Sequence, residues 1–161
     1  MSAAIDIVRE HMAAEDRQDL EATLATFADD CWYSVPALGM DLRGKEQIRG
    51  WYESTFSAVP DFRNVGERYW EGEGNVFFEA RMEGTHLGDW AGWAPTGRRF
   101  STPLFCRIPI APDGKIEAEV VFFDAADLFM QLGILPRQGS RTERVLQSVH
   151  RLRHRWSGPR R

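Results

Sequence analysis

Gly84-Thr85-His86-Leu87-Gly88-Asp89-Trp90-Ala91-Gly92-Trp93-Ala94-Pro95-Thr96-Gly97-Arg98 is the stretch whose reading decides the fold. It leaves an alternating strand at Gly84, crosses a loop with four glycines and a proline, and enters another strand at Arg98. Toward the C-terminus the pattern predicts strands over 99–110 and 115–123, joined by the turn residues Pro112-Asp113-Gly114. A short helix over Ala125–Leu132 follows, with Leu135-Pro136 behind it. On the other side, 76–84 alternates cleanly. Val76, Phe78, Ala80 and Met82 share one face, and Glu79, Arg81 and Glu83 share the other. A strand over 62–70 precedes it across the turn Glu71-Gly72-Glu73-Gly74-Asn75.

The first third of the chain reads differently. Ser2 can cap a helix with Ile5, Val8 and Met12 on one face, and Asp19 a second helix with Leu20, Leu24 and Phe27 at helical spacing. Asp29-Asp30 ends that helix, 31–35 is a short strand stopped by Pro36, and a loop runs through Leu42-Arg43-Gly44. A helix over 45–57 buries Ile48, Tyr52 and Phe56. Helices first and an antiparallel meander second make an α+β order.

Composition narrows the partners. At 161 residues and 43% apolar content the chain can bury a substantial core. Its net charge of -4 is uneven, because residues 137–161 carry eight arginines and one acid, leaving the body strongly acidic. Nucleic acid is therefore not the expected partner of the body. No stretch has the length of a membrane span, and residues 1–6 lack a leader pattern, so a cytoplasmic protein is expected. Cys31 and Cys106 have no ligand spacing, and His150 and His154 share a helical face without a third ligand, so no metal is expected. We read 1–136 as the ligand-binding domain and 137–161 as a basic tail. In that tail Val145, Val149, Leu152 and Trp156 form an apolar stripe, suited to docking on the domain or a dimer mate, or to an anionic surface.

Four pieces in order, Gly84-Thr85-His86-Leu87-Gly88, Pro95-Thr96-Gly97-Arg98, Asp113-Gly114-Lys115-Ile116 and Gln131-Leu132-Gly133, resemble the SnoaL-like polyketide cyclases. That family lies within the nuclear-transport-factor-2-like and ketosteroid-isomerase-like superfamily, and the resemblance covers roughly residues 6–136. It implies a cone: a curved antiparallel sheet wrapped around the N-terminal helices, with a cavity for a hydrophobic small molecule. It also implies general acid/base chemistry without a cofactor, and the apolar half of such a sheet with the Trp90/Trp93 loop leaves enough apolar surface to predict a homodimer.

The family's proton-transfer residues do not carry over directly. Register through Lys115-Ile116 and Gln131-Leu132-Gly133 places Glu119 on the family's His, Val120 on its Trp and Val121 on its proton-transferring Asp. Its second His falls near Cys106. Laid on the ketosteroid isomerases, His11 replaces the tyrosine, Val35 the base and Cys106 the protonated Asp. Val cannot accept a proton, so steroid isomerisation by that route is not expected.

Glu119 is the acid that remains. Period two puts Glu117, Glu119, Val121 and Phe123 on one face, yet Val120-Val121-Phe122-Phe123 is apolar on both, so parity leaves open which face is the cavity's. Facing the cavity, Glu119 would move the proton, with His11 or Asp124 polarising the substrate oxygen. His11 also reads as a satisfied helix residue, and Asp124 as a helix cap. Trp32, Val35, His86, Trp90, Trp93, Cys106, Val121 and Phe123 are the candidate substrate contacts. His86 could instead serve its own loop, and Trp90 with Trp93 could form a lid or a dimer surface.

Two other functions stay open. A non-catalytic binding module would keep the cavity and lose the acid/base pair, a reading that Val121 favours. Glu79-Ala80-Arg81-Met82-Glu83 also resembles the Arg-x-Asp core of limonene-type epoxide hydrolases, with Glu83 for the Asp and Asp124 as a further acid.

Overall fold

The computed structural model describes residues 2–156, and the side chains of 154–156 lie outside the description. The His154 and Trp156 side chains, named above, are among those outside it. Helices α1 (Ala3–Asp16) and α2 (Leu20–Ala25) lead into strand β1 (Phe27–Val35). Then come β2 (Met40–Arg43), α3 (Gly44–Ala58), β3 (Arg63–Gly72), β4 (Asn75–Thr85), β5 (Arg99–Pro109) and β6 (Ile116–Phe123). Helices α4 (Ala125–Leu132) and α5 (Arg141–Trp156) complete the order.

The strands form one six-stranded, curved and unclosed sheet in the order β2-β1-β6-β5-β4-β3. Every neighbouring pair is antiparallel except β1 with β6, which run parallel. β2, α3 and β3 to β5 lie between those two strands in the chain, and so long a connection permits the parallel sense. β5 and β6 pair with Cys106 opposite Val121, as an antiparallel hairpin across Pro112-Asp113-Gly114. Register shifts at Phe27/Trp32 and Val65/Arg68 bend the two outer parts of the sheet.

The alternation in β4 is fulfilled: Val76, Phe78, Ala80 and Met82 are buried, while Glu79 and Arg81 are exposed. Ile48 of α3 is fully buried in the core, with Phe56 packed against the same core. Ser2, Asp19 and Asp124 cap α1, α2 and α4 by accepting from the backbone N–H of Ala4, Ala22 and Asp127.

Three local expectations need correction. Phe27 does not extend the second helix. The Thr26 hydroxyl donates to the Thr23 carbonyl at 2.6 Å, closing the helix, and Phe27 starts β1 fully buried. Asp29-Asp30 therefore lies inside a strand, where Asp29 pairs with Lys45 at 3.1 Å. The loop expected before α3 contains β2, paired with β1 from Trp32↔Arg43 to Val35↔Met40.

Gly84 and Gly88 have a steric purpose. A Cβ on Gly84 would run into the Val59 side chain, and one on Gly88 would lie 2.9 Å from Ala58 Cα. The backbone of 87–88 thus reaches the end of α3, where Leu87 and Gly88 N–H both donate to the Ala58 carbonyl. The loop then closes on itself through His86 N–H to Arg98 O and Gly97 N–H to His86 O.

Helix α5 keeps its apolar stripe in solvent: Val145, Leu146, Val149 and Leu152 are all about half exposed or more. Among the described residues it does not dock on this chain's own core. No described helix is long and apolar enough to cross a membrane.

Candidate active site

The site grows from one helical turn. His11 and Glu15 stand four residues apart on α1 and so share a face, which turns inward beneath the sheet. β6 brings Glu119 from the far end of the chain, and α3 brings Tyr52. His11 Nε2 lies 3.2 Å from Glu119 Oε2 and 3.2 Å from Glu15 Oε1. The Tyr52 hydroxyl donates to Glu15 and lies 3.2 Å from Glu119 Oε2. All four side chains are buried.

The hydrogen-bond directions fit a protonated imidazole. The Thr26 hydroxyl proton goes to the Thr23 carbonyl, so Thr26 Oγ1 accepts from His11 Nδ1–H at 2.8 Å. A neutral ring would then aim the Nε2 lone pair at two carboxylates, whereas an imidazolium donates to them. Burial alone would push the His11 pKa down. The Glu15 charge and the hydrogen bonds to Glu119 and Glu15 outweigh it and lift the value to about 10. Burial, then the Glu119 charge, raises the Glu15 pKa, with His11 and Tyr52 opposing. Burial and both carboxylates push the Tyr52 and Tyr33 phenols well up, so Tyr52 remains a donor. One imidazolium thus faces two carboxyl groups, of which Glu15 is shifted toward holding a proton.

This cluster borders an otherwise apolar cavity of about 510 Å³, its mouth included. Tyr33 and Val35 of β1, Trp51 of α3, Leu104 of β5 and Val121 and Phe123 of β6 form much of the wall. Glu15 and Glu119 are its acids. A second, adjoining chamber of about 360 Å³ shares Trp51, Trp90 and Phe123 with the first, and includes His86 and Trp93 in its lining. His11 Nε2 and the carboxylates of Glu15 and Glu119 lie within 4.8 Å of one another, close enough to hold a divalent cation. In the structure the same oxygens are also paired with the His11 ring and the Tyr52 hydroxyl.

Other expected residues fall elsewhere. Asp124 lines neither chamber and serves as the α4 cap. Trp32 points to the opposite face of β1 from Tyr33, with the Arg43 guanidinium 5.1 Å above its ring. Cys106 is fully buried and abuts Glu119, and burial and then the Glu119 and Glu15 charges push its thiol pKa well up. Arg81 is exposed and donates to Ser101, while Glu83 pairs with Arg63 at 3.0 Å. The Arg81–Glu83–Asp124 acid set of an epoxide hydrolase is not assembled. Glu15 and Tyr52 were not expected as site residues. The i,i+4 spacing from His11 was the available signal for Glu15, and for Tyr52 it was a core hydroxyl that needs a partner.

The chain matches the SnoaL-like polyketide cyclase family over residues 5–132. It belongs to that family. No curated protein matches it by sequence. Among solved structures, this SnoaL-like chain is similar to a candidate polyketide cyclase from Pseudomonas putida KT2440, with a TM-score of 0.74 at 21% identity, covering 81% of this chain and 98% of that one. It is also similar to IdmH from Streptomyces antibioticus, described as a candidate polyketide cyclase, with a TM-score of 0.68 at 23% identity, covering 81% and 98%. A third is a protein of ketosteroid-isomerase-like fold from Catenulispora acidiphila, with a TM-score of 0.68 at 22% identity, covering 79% and 92%. At these identities the likeness is one of fold.

Proposed function

We propose that this SnoaL-like chain catalyses cofactor-free proton transfer on a hydrophobic, carbonyl-bearing small molecule, in the manner of a cyclase or isomerase. One observation carries the reading: two buried carboxyl groups, bridged by one imidazolium and one phenol, stand at the wall of an apolar cavity. Glu119 takes the proton from the carbon beside the carbonyl, and the C–H electron pair moves into an enolate. Tyr52, backed by His11 and Glu15, stabilises the developing oxyanion and returns a proton. An enolate formed in this way can attack a second carbonyl of the same molecule, which closes a ring. Residues 1–136 would hold this site, with 137–161 as an appendage to it.

The test is exchange of the α-protons of 1-tetralone with D2O, followed by NMR. The wild-type protein should accelerate exchange well above buffer. Tetralone that binds, read by quenching of Trp51 and Trp90 fluorescence, yet exchanges at the buffer rate would make the protein a binding module.

The proposal includes a homodimer formed through the outer face of the sheet. Phe105 and Phe122 are 41% and 43% exposed there, with the Phe77 ring stacked 6.0 Å from Phe105. Trp90 is buried, so that surface does not depend on both loop tryptophans. Light scattering at tens of micromolar should give a dimer, and Phe105→Glu should give a monomer. A wild-type monomer under those conditions would refute the assembly.

A further inference from the structure

Helix α5 has its own start signal, but among the described residues its apolar face has nothing to lie against. Ser140 caps it by accepting the Glu143 N–H at 3.1 Å, and the Glu143 carboxylate accepts the Gly139 N–H. Val145, Leu146, Val149 and Leu152 are nevertheless 47% to 60% exposed. A helix of 16 residues is marginal in water alone and draws most of its stability from packing such a face. The residues beside the stripe are sorted by charge. Arg144 and Arg151 stand seven apart, with Arg141 one turn earlier, so three exposed arginines form a ridge along one flank of the stripe. Against a chain total of -4, eight arginines and one acid put +7 on residues 137–161 and leave -11 on the rest.

That distribution selects the occupant. We propose that α5 is an interfacial anchor, which lies in the surface of an anionic phospholipid bilayer and holds the cavity-bearing domain beside it. Anionic headgroups repel the body and attract the tail, so the chain meets such a surface by α5 first. Val145, Val149 and Leu152 then enter the boundary between headgroups and acyl chains. The arginine stems rest on that boundary, with their guanidinium groups on lipid phosphates. The acidic body of a second copy is the other surface of suitable charge. The same acidic surface is tethered to α5 within its own chain at high effective concentration, yet the stripe stays in solvent. Nucleic acid would engage the arginines and leave the four apolar side chains without a role. The anchor stands independently of the proton-transfer reading of the site.

Co-sedimentation of the full chain with lipid vesicles tests the anchor. Wild type should pellet with vesicles of equal parts phosphatidylglycerol and phosphatidylcholine, and stay in the supernatant with phosphatidylcholine alone. Added salt should release it. Arg144→Gln and Arg151→Gln should each weaken binding by about fivefold. Val149→Glu combined with Leu152→Glu should abolish binding and leave the urea unfolding midpoint unchanged. Wild type that ignores anionic vesicles, or that pellets equally with both kinds, would overturn the anchor. Binding that survives the paired glutamates would also overturn it, as adsorption by charge alone. If the paired variant does not fold, Val149→Ser should still weaken binding severalfold, and unchanged binding would overturn the proposal. A wild-type oligomer that the paired glutamates dissolve, without any vesicle binding, would give the face to a second copy instead.

Discussion

Glu119→Gln is expected to lower the rate of α-proton exchange by about 10²- to 10⁴-fold while leaving ligand affinity nearly unchanged. The substitution keeps the shape of the side chain and removes the proton acceptor. Folding should survive it, because the new amide can still bond to Tyr52 and His11, and the imidazolium keeps Glu15 as its counter-charge. Stopped-flow or NMR exchange rates, together with a binding isotherm for the same ketone, measure both halves of the expectation. Exchange at the wild-type rate would remove Glu119 from the mechanism and leave Glu15 as the remaining cavity acid.

His11→Gln is expected to cost about 3–5 kcal/mol of folding stability near neutral pH, measured by urea unfolding. The histidine is the only cation contacting two buried carboxyl groups among the described residues, and its removal leaves them uncompensated. The pH dependence carries a definite sign. The folded-state pKa of about 10 lies above the ordinary 6.5, so the stabilisation from His11 is fully present below about pH 6.5. It is lost as pH rises through about 10. The raised Glu15 pKa acts in the same direction, because the folded state holds that proton longer than the unfolded chain does. Wild-type stability should therefore fall between pH 6.5 and 10, and His11→Gln should flatten the fall. A wild-type protein that grows more stable across that window would contradict the imidazolium assignment.

The fold was legible because its signals are local. Alternation in β4, the Asp113-Gly114 turn and the glycines at 84 and 88 each constrain a few neighbouring residues, and together they fix the meander. β2 escaped because four residues with a half-buried pattern carry no periodicity of their own and exist as a strand only by pairing with β1. The pairing of β1 with β6 escaped for a similar reason: parallel contacts between distant segments leave no trace in either segment. In the site, period two grouped Glu119, Val121 and Phe123, but Val120-Val121-Phe122-Phe123 reads as apolar on both faces, so only the position of α1 reveals which face meets His11. Reading His11 as a satisfied helix residue drew attention from Glu15, which lies one turn on along the buried side. Tyr52 read as core because its ring is core, and its hydroxyl acquires a role only where helix and strand converge. Asp124 and Arg81 show the converse error, since a cap and an outward strand residue look like catalytic acids and bases until their neighbours are known.

His11 and Glu119 are separated by 108 residues, and they meet only because β6 inserts between β1 and β5. During synthesis, α1 leaves the ribosome long before its partner strand exists. Until β6 arrives, the face bearing His11 and Glu15 has no strand to lie beneath, and the sheet has a gap at its middle rather than a loose edge. Closing such a gap requires contacts of high sequence separation, which form slowly. A nascent chain stalled before residue 116 would therefore expose an unfinished interior to chaperones and proteases, and the proton-handling cluster would be among the last parts of the molecule to come into being.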